Sequence, residues 1–227
     1  MKMKPNDFFA YLAPTAIQVR LEGSPMFVSV RLAQNLLETG GVIHSWYNLG
    51  GIKVGSGKPN EWWDGSSVRK GTWEVINGQR VDTSANFRAY KSVYHFYKDQ
   101  DLLFNNSRYT RVRTAQTPEK QAEMLQACGY ATDPQYAQKI KNIISSYNLK
   151  KYDAEVERVL EELNKKIDQL SKRIEALEKK PEQTVADWAK EGQEFVTQLG
   201  ISDGTRPADP VTRQEVWTML YRINRGK

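Results

Sequence analysis

The sequence predicts an α+β fold, mainly α, and three observations carry that assignment. Apolar residues recur at helical spacing in several separate stretches. A hairpin signature interrupts them near residue 78. A charged, glycine-free run from residue 153 to about 180 then repeats its apolar residues every three or four positions. The expected organisation is a mixed domain over residues 1–150, a long helix over 151–180 and a small helical module over 181–227, which opens with Pro181 and is rich in turn signals.

The first helix spans Asp7 to about Leu21, with Phe8, Phe9, Leu12, Ala16, Ile17 and Val19 on its apolar side. The second starts after Ser24 as N-cap, with Pro25 in a first-turn position that tolerates proline. Val28, Leu32, Ala33, Leu36 and Leu37 form its apolar face, and Arg31, Gln34, Asn35 and Glu38 lie off that face. Gly40-Gly41 ends it, because glycine adopts the left-handed conformation that stops a helix. Gly71 to Val81 reads as a β-hairpin about the turn Asn77-Gly78. Strand alternation then sets Glu74 on the face opposite Trp73 and Val75. Helices return over Ser92 to about Asn105, Pro118–Ala127 and Pro134–Tyr147.

Composition narrows the chemistry. The net charge is +6, and residues 1–150 carry 19 Lys and Arg against 12 Asp and Glu, so the excess lies in the first segment. Its basic residues are scattered and match no nucleic-acid motif, which favours an anionic cell-wall polymer over nucleic acid. Cys128 stands alone, and neither His44 nor His95 has metal-ligand spacing with it; no metal, cofactor or intrachain disulfide is expected. No apolar run approaches a membrane span. Met1-Lys2-Met3-Lys4-Pro5 leads into an amphipathic stretch, so no secretory signal is expected either.

Glu38 sits in the last turn of a helix, where the negative dipole end disfavours ionisation, and shielding by Trp46 or Tyr47 would raise its pKa further. With Glu74 on the hairpin, the chain offers two carboxylates on different elements, which is what glycoside hydrolysis requires. Trp46, Tyr47, Trp62, Trp63, Trp73 and Tyr90 supply flat surfaces for sugar rings or, equally, ordinary core. The adjacent pair Trp62-Trp63 is the harder to bury completely.

Leu32-Ala33-Gln34 through Leu37-Glu38-Thr39-Gly40, Asn48 to Lys53, Thr72-Trp73-Glu74, Asn86 to Tyr90 and Cys128 to Ala137 occur together in this order. On these motifs residues 8–150 resemble the glucosaminidase domain of glycoside hydrolase family 73, found in flagellar peptidoglycan hydrolases, autolysins and phage enzymes. The resemblance implies a lysozyme-like fold with a small hairpin lobe and cleavage of β-1,4 bonds in peptidoglycan glycan strands. It places Glu38 on the general acid, Glu74 on the second carboxylate and Tyr130 on the active-site tyrosine. Asn48, Trp46, Trp73, Tyr90 and Tyr136 are the expected substrate-binding residues. Two departures mark this chain: Gly41 to Ser45 stand where the family has Trp-Gly, and Gly50 replaces a Phe. The second either loosens a contact under the cleft or opens space for a substrate group.

Val156, Leu160, Leu163, Ile167, Leu170, Ile174 and Leu177 form a heptad seam, expected to pair copies of the chain through residues 153–180. Trp188, the Gly200-to-Pro207 loop and Thr212-Arg213-Gln214-Glu215 resemble one surface-layer-homology repeat, which implies binding of anionic secondary wall polymer through Trp188, Asp203 and Arg213. Thr212 and Glu215 also have capping-box form. The resulting expectation is an endolysin-like peptidoglycan hydrolase, made in a host cytoplasm and acting on the wall after release, or carried on a phage particle. The alternatives are N-acetylmuramidase specificity and an inactive wall-binding or virion-structural protein.

Overall fold

The computed structural model describes residues 1–76, 79–178 and 184–225, and of residues 72–82 the backbone alone. The chain falls into two compact units, Met1–Leu163 and Asn164–Lys227.

In the first unit the helices are α1 (Pro5–Leu21), α2 (Val28–Thr39), α3 (Val93–Phe104), the short α4 (Thr110–Arg113), α5 (Pro118–Ala127), α6 (Tyr136–Ser146) and the start of α7 (Lys150–Glu178). Strands β1 (Ser67–Ile76) and β2 (Gln79–Arg88) pair antiparallel, from Ser67 with Arg88 to Ile76 with Gln79. The mainly helical α+β class is therefore observed, with longer strands than the hairpin signature covers. The turn residues Asn77 and Gly78 lie outside the described residues.

Helix α2 is the centre of this unit, packed by α1, α5 and α6. It begins at Val28, three residues later than a Ser24 cap and Pro25 start would require. The Ser24 hydroxyl does accept from Met26 N at 3.3 Å, but it also donates to Asp101 Oδ1 at 2.8 Å and accepts from Arg31 Nη2 at 2.8 Å, which ties it to the polar seam. Capping comes from distant residues instead. Gln121 Oε1 accepts from Phe27 N at 2.8 Å, and Asp153 Oδ1, from α7, accepts from Ser29 N at 3.1 Å. A carboxylate there also faces the positive end of the helix dipole.

The polar residues expected off the apolar face of α2 are not at the surface. Arg31, Gln34 and Asn35 are each at most 1 % exposed. Arg31 pairs with Asp101 and donates to Gln100 Oε1 at 3.0 Å and to the Tyr97 carbonyl at 3.2 Å. Asn35 Oδ1 accepts from the Tyr97 hydroxyl at 2.7 Å, and its Nδ2 donates to the Leu49 carbonyl at 3.3 Å. Thus α2 gives Val28, Leu32 and Ala33 to the apolar core that also holds Phe8, Leu12 and Ile140, and its polar residues form a seam shared with α3. A buried guanidinium without its carboxylate is costly, because its desolvation is no longer offset.

In the second unit, the rest of α7 is followed by α8 (Lys190–Gln198) and α9 (Arg213–Arg225), with a 3-10 turn at Asp187–Ala189. The Thr212 and Glu215 capping box forms: Glu215 N donates to Thr212 Oγ1 at 3.2 Å, and Thr212 N to Glu215 Oε2 at 2.7 Å. No helix among the described residues is long and apolar enough to cross a membrane.

Replacing Asp101 by Ala should destabilise the first unit by roughly 3–5 kcal/mol, the cost of stranding a buried partner. Urea unfolding followed by tryptophan fluorescence measures it. A loss below about 1 kcal/mol, the range of an exposed pair, would mean that Arg31 is not held by this carboxylate.

Candidate active site

The site is built at the end of α2. Gly40, with φ 59° and ψ 27°, closes the helix, and its N–H donates to the Leu36 carbonyl at 2.9 Å. This stop leaves Glu38 in the last turn with its side chain leaving the core. As a whole residue Glu38 is exposed, yet its carboxyl lies against Tyr136 of α6, whose hydroxyl donates to Oε1 at 2.9 Å. Burial of the carboxyl pushes its pKa above the usual carboxylate range, and the Tyr136 hydrogen bond opposes this. Desolvation wins over one hydrogen bond, so the group holds its proton to higher pH than a free glutamate.

Behind Tyr136 stands Gln34, one turn before Glu38 on the same helix. Its Nε2 donates to the Tyr136 hydroxyl oxygen at 3.0 Å, and its buried Oε1 has no partner among the described protein groups. Burial and the neighbouring Tyr130 and Glu38 raise the Tyr136 pKa, so the phenol stays protonated. It can donate to an ionised Glu38 and accept from a protonated one, since a hydroxyl does both. Such a partner serves a carboxyl that must release and regain a proton.

The expected site residues separate into several kinds. Tyr136 contacts the acid directly, whereas the Tyr130 hydroxyl is directed to the Gly50 carbonyl at 3.5 Å and accepts from Gln100 at 3.4 Å. Tyr130 remains a neighbour, its ring 5.9 Å from that of Tyr136, and burial followed by the charge of Glu38 raises its pKa. Gly50 does not leave a void. A Cβ there would lie 3.1 Å from Phe96 Cζ and 3.2 Å from the Tyr130 hydroxyl, so those side chains occupy the space a larger residue would need.

Asn48 and Tyr90, expected to bind substrate, are instead committed to the protein. The Asn48 amide donates to the carbonyls of Ile52 and Arg88 at 2.8 and 2.9 Å and accepts from Ile52 N at 3.0 Å. It joins the loop after Glu38 to the foot of β2. Tyr90 is buried, and its hydroxyl donates to Asp99 Oδ2 at 2.6 Å. Asp99 also accepts from Arg88 Nη1 at 2.9 and 2.8 Å and from Asn60 Nδ2 at 2.7 Å. This buried carboxylate bolts the base of the hairpin to α3. Local pattern could not disclose it, because its partners come from two separate segments, one around Asn60 and one holding Arg88 and Tyr90.

Among the aromatics, Trp46 and His44 stack with centroids 4.1 Å apart and planes 7° from parallel, and Lys70 of β1 lies 4.7 Å from the Trp46 ring centre. Trp46 is half-buried, and the hydrogen bond to the Glu38 carboxyl comes from Tyr136. Trp63 is fully buried beneath the Arg88 guanidinium at 4.3 Å, and half-buried Trp62 packs edge-on to Tyr94. The side chains of Trp73 and Glu74 lie outside the described residues; their backbone belongs to β1, with Glu74 opposite Val81.

In the second unit an open cleft of about 1050 Å³ is lined by Trp188, Asp203, Arg206 and Arg222 among others. Arg213 opens α9 and is not among the lining residues. Asp203 is engaged in its own loop, accepting from Thr205 N at 2.9 Å and Thr205 Oγ1 at 2.8 Å. Among the described residues no group of three or more His, Cys, Asp and Glu has an arrangement that holds a metal.

Tyr136→Phe should raise the pKa of Glu38, because it removes the one hydrogen bond that favours the carboxylate. A carboxyl carbon-13 titration reads this directly. A downward shift would show that the tyrosine favours the protonated acid instead.

The comparisons bear on this geometry. Residues 14–149, more than half of the chain, match the glucosaminidase family model, described as mannosyl-glycoprotein endo-beta-N-acetylglucosaminidase. Peptidoglycan hydrolase FlgJ of Escherichia coli K12 is 36% identical over 156 residues, 62% of this chain and 47% of FlgJ. Exo-glucosaminidase LytG of Bacillus subtilis is 32% identical over 146 residues, 60% of this chain and 49% of LytG. The chain thus spans about half the length of these curated relatives. Among solved structures, the catalytic domain of the autolysin Auto from Listeria monocytogenes superposes with a TM-score of 0.55 at 29% identity, covering 65% of this chain and 86% of that one. The fold is the lysozyme-like fold of these glycoside hydrolases, and the chain belongs to the glucosaminidase family.

Proposed function

We propose that this protein is a peptidoglycan hydrolase that cuts β-1,4 glycosidic bonds of glycan strands as an endo-β-N-acetylglucosaminidase. The observation that carries the reading is the carboxyl of Glu38, desolvated at a helix C-terminus and hydrogen-bonded to a tyrosine that can follow its proton. Family membership and the names of the relatives, a peptidoglycan hydrolase and an exo-glucosaminidase, support the substrate class.

Glu38 is the general acid. Its raised pKa keeps a larger share protonated near neutrality, and it delivers that proton to the glycosidic oxygen as the bond to the anomeric carbon breaks. The resulting oxocarbenium-like centre needs a second negative group, and Glu74 is the residue assigned to it. The Asp99 bolt holds the root of the hairpin that carries Glu74, so that the lobe closes from a defined base.

The second unit is assigned to wall binding. Its cleft presents Trp188, which is 89 % exposed, as a flat face for a sugar ring, while Arg206 and Arg222 stand there among Asp203, Asp209 and Glu215, with Arg206 paired to Glu215 at 3.1 Å. Arg213 stays the cation assigned to the polymer, at the start of α9 and outside the lining of this cleft.

Glu38→Gln should lower digestion of purified peptidoglycan by about 10²- to 10⁴-fold, the usual contribution of a general acid. Mass spectrometry of the wild-type digest should show GlcNAc reducing ends; MurNAc reducing ends would establish the muramidase alternative. The same variant should melt no lower than wild type, and higher above the ordinary glutamate pKa. A carboxyl whose folded pKa is raised destabilises the fold as pH climbs past its unfolded value, and the amide abolishes that penalty. Undiminished digestion by Glu38→Gln would refute the assignment.

A further inference from the structure

Helix α7 begins inside a core and continues without one. Its Val156 is 4 % exposed among the apolar residues of the first unit, and Asp153 caps α2. From the next turn onward the same stripe is bare: Leu160, Leu163, Ile167, Leu170, Ile174 and Leu177 are 44–85 % exposed. The other surfaces of this stretch carry Glu161, Glu162, Lys165, Asp168, Lys172 and Glu175. A narrow apolar seam with charged flanks does not suit broad packing against a protein core, but it fits another helix of the same kind.

We propose that this face is the interface of a parallel two-stranded coiled coil between two copies of the chain. The residue types favour that occupant. Leu160, Ile167 and Ile174 take the a positions, and Leu163, Leu170 and Leu177 take d. Branching at the β-carbon suits a in parallel pairs and leucine suits d, so isoleucine at two of three a positions with leucine at every d selects two strands.

The flanking charges select the direction. Lys166 and Arg173 are the g residues of the exposed heptads, and Ser171 and Glu178 are the e residues that follow them. In a parallel pair each g side chain meets the e side chain of the next heptad across the seam. Arg173 then faces Glu178 of the partner subunit, and Lys166 faces Ser171 of the partner subunit. An antiparallel pair sets g against g and collects the lysines and arginines of both helices along one edge. Complementarity on one side and repulsion on the other give the orientation. The exposed seam runs 18 residues, about 27 Å of helix, so a modest and concentration-dependent association is expected.

Pairing would bring two copies of the second unit to one wall surface, which raises retention through effective concentration without any new contact. The proposal does not depend on the catalytic reading.

Light scattering of the full chain over a concentration series should approach twice the 26.1 kDa chain mass. Ile167→Lys with Ile174→Lys should return the single mass while near-ultraviolet circular dichroism remains native, which separates lost pairing from lost folding. Direction is read from Leu177→Cys in a Cys128→Ser background: at the end of the seam, an interchain disulfide should form in high yield on oxidation only in a parallel pair. A wild-type monomer at every concentration, a trimeric mass, or a dimer that survives both lysines overturns the interface. A dimer that fails to form the disulfide overturns its direction.

Discussion

The constraint on which the first unit depends is that the first two turns of α2, Val28 to Asn35, are buried while half of the helix's residues are polar. Arg31, Gln34 and Asn35 cannot reach water, so each must find its partner within the protein. Those partners define the rest of the unit. Arg31 requires Asp101, Gln100 and the Tyr97 carbonyl, which fixes α3. Asn35 requires Tyr97 and the Leu49 carbonyl, which fixes the loop beyond Glu38. Gln34 requires Tyr136, which fixes α6. The helix that delivers the acid is thus also the element whose polar groups order its surroundings.

This arrangement explains how the Glu38 carboxyl acquires a raised proton affinity although the residue as a whole is exposed. One side of Glu38 is open to solvent. On the other side the enclosed helix and Tyr136 exclude water, and that desolvation exceeds what the tyrosine hydrogen bond gives back. The tyrosine, in turn, is held by Gln34 rather than by solvent. Proton affinity, access and geometry are set by three neighbouring groups whose positions all follow from α2.

The hairpin obeys a second, separate rule. It emerges from the unit as a two-stranded ribbon, and an isolated ribbon is marginal in water. Its base is therefore tied by buried polar contacts: Asp99 gathers Arg88, Tyr90 and Asn60, and Asn48 reaches across to the Arg88 carbonyl. Residues that look in sequence like sugar ligands thus serve as structural ties. Tyr90 is the clearest case, since its aromatic ring is buried and its hydroxyl is used internally.

Much was legible from the chain alone where the signal is local. Helical spacing in α1, α5 and α6, the glycine stop after Glu38, the hairpin and the Thr212–Glu215 box all arise from neighbours within a few residues, whose preferences act over that range. The motif order pointed to the glucosaminidase family, which the comparison establishes. The start of α2, the burial of its polar side, the pairing of Tyr136 with Glu38 and the Asp99 bolt were decided by tertiary structure. Each depends on groups from 60 to about 120 positions apart or on several segments at once: Asp153 capping Ser29, Tyr97 meeting Asn35, Tyr136 meeting Glu38. The sequence by itself determined where helices form, where they stop and which carboxylate stands at a stop. Only the packed molecule determined what surrounds that carboxylate, because desolvation and hydrogen bonding across the fold exist only once the distant segments have met.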